Sequence, residues 1–276
     1  MSVREDMNLD FKMLRETRTG TLREETERFH NFQELYYIAE GECFVFIGQR
    51  TYRLHAGDFA LIPAGVLHKT DFLSRGQNTK YVVSFSMKTA RQLDAFLGEA
   101  LSAECMRQGK VTAPAQRRET VTLLLNRMLY EYENQPEHAR SFCRACLAEL
   151  LISILRYRKG TPEADIAPSV KDDRIQAIAA YLGEHAAEPL TLPDLASRFA
   201  LSPSHLSRIF RQETGFGIRE YLTHFRIQKA CDLLMTTDLN ITEIALRCGF
   251  SDSNYFGDAF KKATGLSPRE YRKLRY

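Results

Sequence analysis

The chain has 276 residues, 44% of them hydrophobic and 26% charged, with a formal net charge of +3. That length allows two ordinary domains, and the composition is globular rather than disordered. So small a net charge does not announce nucleic acid, no apolar run approaches the ~20 residues of a membrane span, and the opening Met1-Ser2-Val3-Arg4-Glu5-Asp6 lacks the apolar stretch of a secretion signal.

Residues 1–26 are polar and weakly patterned, and read either as an arm or as the first strands of a sheet. From Glu34 to Phe85 the texture is β. Leu35-Tyr36-Tyr37-Ile38 is a short apolar run, and Glu40-Gly41-Glu42 turns the chain. Phe44 and Phe46 then alternate with Cys43, Val45 and Ile47, as in a strand between two packed layers. Further breaks at Gly48-Gln49-Arg50, Gly57-Asp58 and Pro63-Ala64-Gly65 separate Thr51–Leu54, Phe59–Ile62 and a last strand at Tyr81–Phe85. Short strands at close spacing imply a β-sandwich or a small barrel.

Within this half, Gly57-x5-Pro63-x-Gly65-x2-His68 and Glu34-x6-Gly41 resemble the two motifs of the cupin fold, in the form found in effector domains of bacterial regulators. His30, four residues before Glu34, takes the place of the second histidine of metal-binding cupins. Their first histidine is replaced by Arg28, and Phe72 stands where an asparagine is common. The resemblance implies a cupin-like β-barrel with a pocket at Arg28, His30, Glu34 and His68. His30, Glu34 and His68 suit a three-ligand site for iron or zinc; the other reading makes them the lining of an organic-ligand pocket, in which Arg28 pairs with an anion. The second reading is adopted, so no metal and no cofactor are expected.

From Thr89 the period becomes helical. Leu93, Phe96, Leu97 and Leu101 share one face, Val121 to Leu129 mark a second helix ended by Pro136, and a third runs from about Glu137 to Arg158. The third is apolar on more than one face (Leu147, Leu150, Leu151, Ile154, Leu155), which predicts packing on the β-layer with a surplus left for a homodimer. Cys143 and Cys146 form one Cys-x-x-Cys with no second pair; reduced, buried thiols in a cytoplasmic protein are expected, since structural zinc needs four ligands. Residues 159–170 carry Gly160, Pro162 and Pro168 and read as a linker between an effector domain at 1–158 and a second domain at 171–276.

The second domain is helical by period. Arg174–Tyr181 is its first helix, and Ile218–Met235 a long connecting one. Ile241, Ile244 and Ala245 share a face, Gly249 supplies a residue able to take positive φ, and Ser251 or Asp252 caps a further helix with Phe256, Ala259 and Phe260 inward. This is a helix-turn-helix pattern. An earlier copy runs from Leu195-Ala196 to Thr214-Gly215, at an offset of 49 before the turn and 50 after it, so the second copy holds one extra turn residue.

Ile241 to Arg272 matches, without a gap, the pattern Ile-x-x-Ile-Ala-x3-Gly-Phe-x4-Tyr-Phe-x3-Phe-Lys-Lys-x2-Gly-x2-Pro-x2-Tyr-Arg. On this pattern the region from about Asp172 resembles the DNA-binding domain of the AraC/XylS family of transcription regulators. One departure is Asp258, where the family often has a basic residue. The expected architecture is α+β in two domains: a cupin-like barrel with helical cap and dimerisation helices, then an all-α domain with two helix-turn-helix motifs. The expected function is a cytoplasmic regulator that binds double-stranded DNA under control of a small molecule such as a sugar, with contact to RNA polymerase as a further output. Ser204, Ser207, Arg208 and Arg211 in the first recognition helix, and Ser253, Asn254, Asp258, Lys261 and Lys262 in the second, point outward to DNA. From Lys261 to Tyr276 six basic residues stand against one acidic, which suits phosphate contacts. The alternative is a metal-dependent cupin enzyme fused to a DNA-binding module. It lacks a full ligand set, a Gly-rich phosphate loop and a serine or cysteine triad, so no catalysis is expected.

Overall fold

The computed structural model describes residues 10–23, 30, 32–72, 75–160 and 173–273. The N-terminal part contains β1 (Phe11–Thr19), β2 (Leu22–Arg23), β3 (Phe32–Glu40), β4 (Glu42–Ile47), β5 (Arg50–His55), β6 (Asp58–Ile62), β7 (His68–Phe72) and β8 (Gln77–Ser86). These are followed by α1 (Met87–Leu97), α2 (Leu101–Met106), β9 (Lys110–Thr112), α3 (Arg118–Asn134) and α4 (Ala139–Gly160). Two antiparallel sheets result, one ordered β1-β8-β3-β6-β9 and the other β2-β7-β4-β5. The weakly patterned N-terminus thus supplies strands: β1 pairs with β8 along its whole length, from Phe11 opposite Phe85 to Thr19 opposite Gln77.

The burial of β3 explains the layering. From Phe32 to Ile38 every residue is buried, so both faces of the first sheet are covered. Leu35 and Tyr37 join Phe59, Leu61, Tyr81 and Val83 in a core shared with the helices. Tyr36 and Ile38 face the other way, into a core with Cys43, Val45, Ile47, Tyr52, Leu54 and Phe72 of the second sheet. A strand covered on both sides reads as a continuous apolar run because alternation has no solvent face to report.

The helical layer corrects two expectations. Leu93, Phe96, Leu97 and Leu101 do not form one helix: Gly98, at φ +71, caps α1, and Phe96 is 83% exposed. The surplus apolar face of α4 is consumed within the chain. Leu147, Leu150, Leu151 and Ile154 are all fully buried in the core under the first sheet, and Leu155 packs against it. The helix also continues through Lys159 and Gly160, so the expected linker is helical over its first two residues; its remainder, with Pro162 and Pro168, lies outside the described residues. All six cysteines are buried, and burial pushes the Cys105 thiol up to about 12 and the Cys143 thiol to about 11.

The second part is helical throughout its described length. It comprises α5 (Asp173–Glu184), α6 (Leu192–Arg198), α7 (Pro203–Thr214), α8 (Ile218–Thr236), α9 (Ile241–Arg247), α10 (Ser253–Thr264) and α11 (Pro268–Arg272). The internal repeat is structural. The side chains of Thr191 and Asn240, 49 apart, cap α6 and α9; Ser202 and Asp252, 50 apart, cap α7 and α10. Ser251 is therefore the extra turn residue. After each recognition helix a glycine takes a left-handed conformation, Gly215 at φ +85 and Gly265 at φ +78. The threonine before each donates back to a helical carbonyl, Thr214 to Phe210 at 2.7 Å and Thr264 to Phe260 at 2.9 Å.

The two parts pack together, and the covering element is the outer face of the second sheet. Phe46 and Leu67 are buried in the core of the first helix-turn-helix unit, with Leu206, Phe210, Phe216 and Tyr221. The Phe46 ring lies 5.6 Å from that of Phe216, and the Tyr221 hydroxyl donates to the Gly48 carbonyl at 2.7 Å.

Candidate effector site and DNA-binding surface

Glu34 and Ser84 are cross-strand neighbours on the first sheet, and their side chains face the second. His68, at the start of β7, approaches from the second sheet, and His30 from the chain just before β3. The Glu34 carboxylate is held from behind: Ser84 Oγ donates to Oε1 at 2.9 Å and the Tyr36 hydroxyl to Oε2 at 2.8 Å. His68 Nε2 stands 3.2 Å and His30 Nε2 3.3 Å from the same Oε2. The His30 and His68 rings meet edge-on at 4.9 Å. Burial raises the Glu34 carboxyl pKa, but the two imidazoles beside it outweigh burial and hold the group well below its ordinary value.

The structure thus brings together three of the four expected site residues, as a cluster bridging the two sheets; Arg28 lies outside the described residues. The cluster is nearly closed, with side-chain exposure of 11% at His30, 5% at Glu34 and 1% at His68. Its three ligating atoms all lie within 4.8 Å of one another.

On the DNA side, Ser204, Ser207, Arg208 and Arg211 are exposed on α7, while Leu206 and Phe210 are fully buried. Ser253, Asn254, Asp258, Lys261 and Lys262 are exposed on α10, opposite the buried Phe256 and Phe260. Two features were not singled out from the sequence. Arg208 is braced by neighbours one turn away, His205 Nδ1 at 3.1 Å and Gln212 Oε1 at 3.4 Å, a trio that helical spacing alone would have suggested. Tyr255 projects at the start of α10 and is 59% exposed. Of the two cap residues expected for α10, the structure uses Asp252, whose carboxylate accepts from the Asn254 and Tyr255 amides, whereas α7 is capped by the neutral Ser202. Of the basic tail, Arg269 and Lys273 are exposed, but Arg272 is tied to the Leu239 carbonyl; Arg275 is outside the described residues.

Comparison with known proteins agrees with this architecture. Residues 14–155 match the AraC-like ligand binding domain, and residues 195–274 match a helix-turn-helix domain. The chain is 29% identical over 260 residues to the HTH-type transcriptional activator RhaR of Cronobacter sakazakii, covering 90% of this chain and 86% of that one. It is 30% identical over 245 residues to the HTH-type transcriptional regulator YijO of Escherichia coli, covering 88% and 82%. Among solved structures it is similar to the apo form of a ToxT variant from Vibrio cholerae, with 16% identity, a TM-score of 0.42 and coverage of 98% and 99%. The chain belongs to the AraC/XylS family: it is a DNA-binding transcription regulator with an N-terminal ligand-binding domain and a C-terminal double helix-turn-helix domain. Among its described residues no helix is long and apolar enough to cross a membrane.

Proposed function

We propose that the chain is a cytoplasmic, non-enzymatic regulator that senses its ligand at His30, Glu34 and His68 and passes the result to the first recognition helix through β7. The carrying observation is that consecutive residues of β7 serve the two ends. His68 points between the sheets to Glu34, at 3.2 Å. Lys69 points outward, and its Nζ comes within 2.7 Å of where a side chain on Gly215 would begin, at the C-terminal cap of α7. An ammonium there complements the negative end of the helix dipole. Leu67, on the other side of His68, is buried in the core of the same helix-turn-helix unit, and its carbonyl accepts from the Gly48 amide at 2.8 Å. A change at His68 therefore moves contacts that hold α7.

On DNA, α7 carries more of the base selection than α10. Arg208 supplies the bidentate guanine contact, and Ser204, Ser207 and Arg211 flank it. Asp252 and Asp258 oppose phosphates at α10, where Ser253 and Asn254 reach bases and Lys261 and Lys262 reach the backbone. Transcriptional activation, as in the name of the RhaR relative, and contact with RNA polymerase are parts of the same proposal. So is a homodimer, whose surface would be the exposed Leu123 and Tyr130 of α3, and which sedimentation of the full chain decides.

The test selects bound fragments from genomic DNA and then measures single-base variants at two salt concentrations. Arg208→Ala relaxes preference at one or two positions, worth about 1–3 kcal/mol, while Lys261→Ala weakens all sequences alike and lowers the salt slope by about 1. Uniform weakening by Arg208→Ala, with altered base preference in Asn254→Ala, reverses the assignment of the two helices.

A further inference from the structure

We infer that the His30–Glu34–His68 cluster binds a divalent first-row transition-metal ion, zinc or iron, that ties the two sheets together. The inference rests on the ligand-site reading above and names what sits there.

The tautomers come first. His30 Nδ1 lies 3.0 Å from the Phe32 carbonyl and His68 Nδ1 3.0 Å from the Val66 carbonyl. A carbonyl oxygen only accepts, so each Nδ1 carries the proton and donates it. In a neutral imidazole that leaves Nε2 as a bare lone pair. Both Nε2 atoms are buried without a hydrogen-bond partner, and both face Glu34 Oε2. Two imidazole nitrogens and a carboxylate oxygen therefore converge on one point. A buried cluster of that kind is stabilised by a cation shared among the three.

The second layer matches what metal sites use. Each histidine's remote nitrogen is pinned to a backbone carbonyl, and the carboxylate is oriented by Tyr36 and Ser84. Such outer partners fix ring orientation and raise ligand basicity. The spacing fits as well. Two ligands each about 2.0–2.1 Å from a tetrahedral ion stand roughly 3.4 Å apart, close to the 3.3 and 3.2 Å between Oε2 and the two nitrogens. Two imidazoles and a carboxylate suit zinc or ferrous iron and leave further coordination positions for solvent or an effector oxygen. Closure favours an ion here: the three ligating atoms lie within 4.8 Å of one another and the most exposed residue, His30, is 11% accessible.

The test uses the full chain, stripped with a chelator and titrated with Zn(II) or, as a spectroscopic probe, Co(II). Wild type takes up one ion per chain, Co(II) shows the visible absorption of a low-coordinate nitrogen–oxygen site, and X-ray absorption reports two imidazoles in the shell. Glu34→Gln and His68→Ala each bind more than tenfold more weakly, and His185→Ala, on an exposed helix end, binds as wild type. Should His68→Ala fail to fold, the wild-type stoichiometry and the imidazole count still decide. A stripped wild type that takes up no ion, or variants that match it, overturns the proposal. The stripped protein's binding to the selected genomic fragments separates the two readings. Loss of ion uptake with DNA binding intact removes the metal and leaves the regulator, whereas ion uptake by a chain that binds no DNA leaves the metal and removes the reading of α7 and α10.

Discussion

His224 sits on α8 where it lines a cavity of about 290 Å³ between the two parts, with Gly48, Gln49, Val66 and Leu67 across from it. Burial lowers its pKa from 6.5 to about 4; Glu220 pulls the other way and Lys262 adds to the lowering. Because the folded pKa lies below the unfolded one, the neutral ring contributes stability in full above about pH 6.5. That contribution is lost as pH falls toward 4, and is on the order of 3 kcal/mol at most. Thermal unfolding across that window falls faster for wild type than for His224→Gln; parallel profiles would remove His224 from the pH response. That His30, Glu34 and His68 come together was legible for a different reason. Glu34 and His68 stand at spacings that resemble the cupin motifs, and that resemblance grouped them. What spacing cannot give is the direction of a proton: the Phe32 and Val66 carbonyls that orient the two imidazoles belong to the backbone, where residue type carries no signal.

Each copy of the helix-turn-helix turns on one left-handed residue, Ala200 at φ +53 in the first and Gly249 at φ +86 in the second. The copies differ in what surrounds it. A Cβ at Gly249 would fall 2.7 Å from the Ala187 carbonyl, a backbone atom that cannot swing aside. Gly249→Ala therefore destabilises the second unit by about 2–3 kcal/mol, through strain plus displacement. Ala200→Gly relieves a left-handed alanine and is expected to stabilise by up to about 1 kcal/mol. Denaturant unfolding of both variants checks this, and equal effects at the two turns would contradict it. The repeat itself was readable because helical caps and glycines are local. The fate of Leu147 to Leu155 was not, since an all-round apolar helix looks the same whether a second subunit or its own sheet covers it.

Four layers run through the molecule: helices, first sheet, second sheet, and the first helix-turn-helix unit. The last junction was hidden in β4. Cys43, Val45 and Ile47 fill the space between the sheets, while Phe46, on the opposite face, is only 4% exposed because Phe216 and Tyr221 cover it. Alternation showed two apolar faces but not that one belonged to the other domain. The repeat supplies an internal control. Tyr221 and Tyr271 occupy equivalent positions and make the same edge-on contact, with Phe210 at 5.2 Å and Phe260 at 5.4 Å. Only Tyr221 reaches across to Gly48. Tyr221→Phe removes that hydroxyl and weakens docking by about 1 kcal/mol; Phe46→Ala removes the ring and releases the unit further, by about 3 kcal/mol. Small-angle scattering should show a larger radius of gyration in Phe46→Ala, and faster amide exchange in α8 in both variants. An unchanged radius with wild-type exchange would mean the junction contributes little in solution.

Placing His68 and Lys69 side by side on one strand has a thermodynamic consequence for whatever reads the DNA. If occupancy of the inner site alters operator affinity by some factor, operator binding must alter occupancy by the same factor, because the four states close a cycle. The promoter is then itself an effector. A chain resting on its operator holds its ligand more tightly, or more loosely, than a chain free in solution. The concentration at which the gene responds is accordingly set partly by the DNA sequence bound, and two operators of unequal strength switch at unequal ligand levels through one protein.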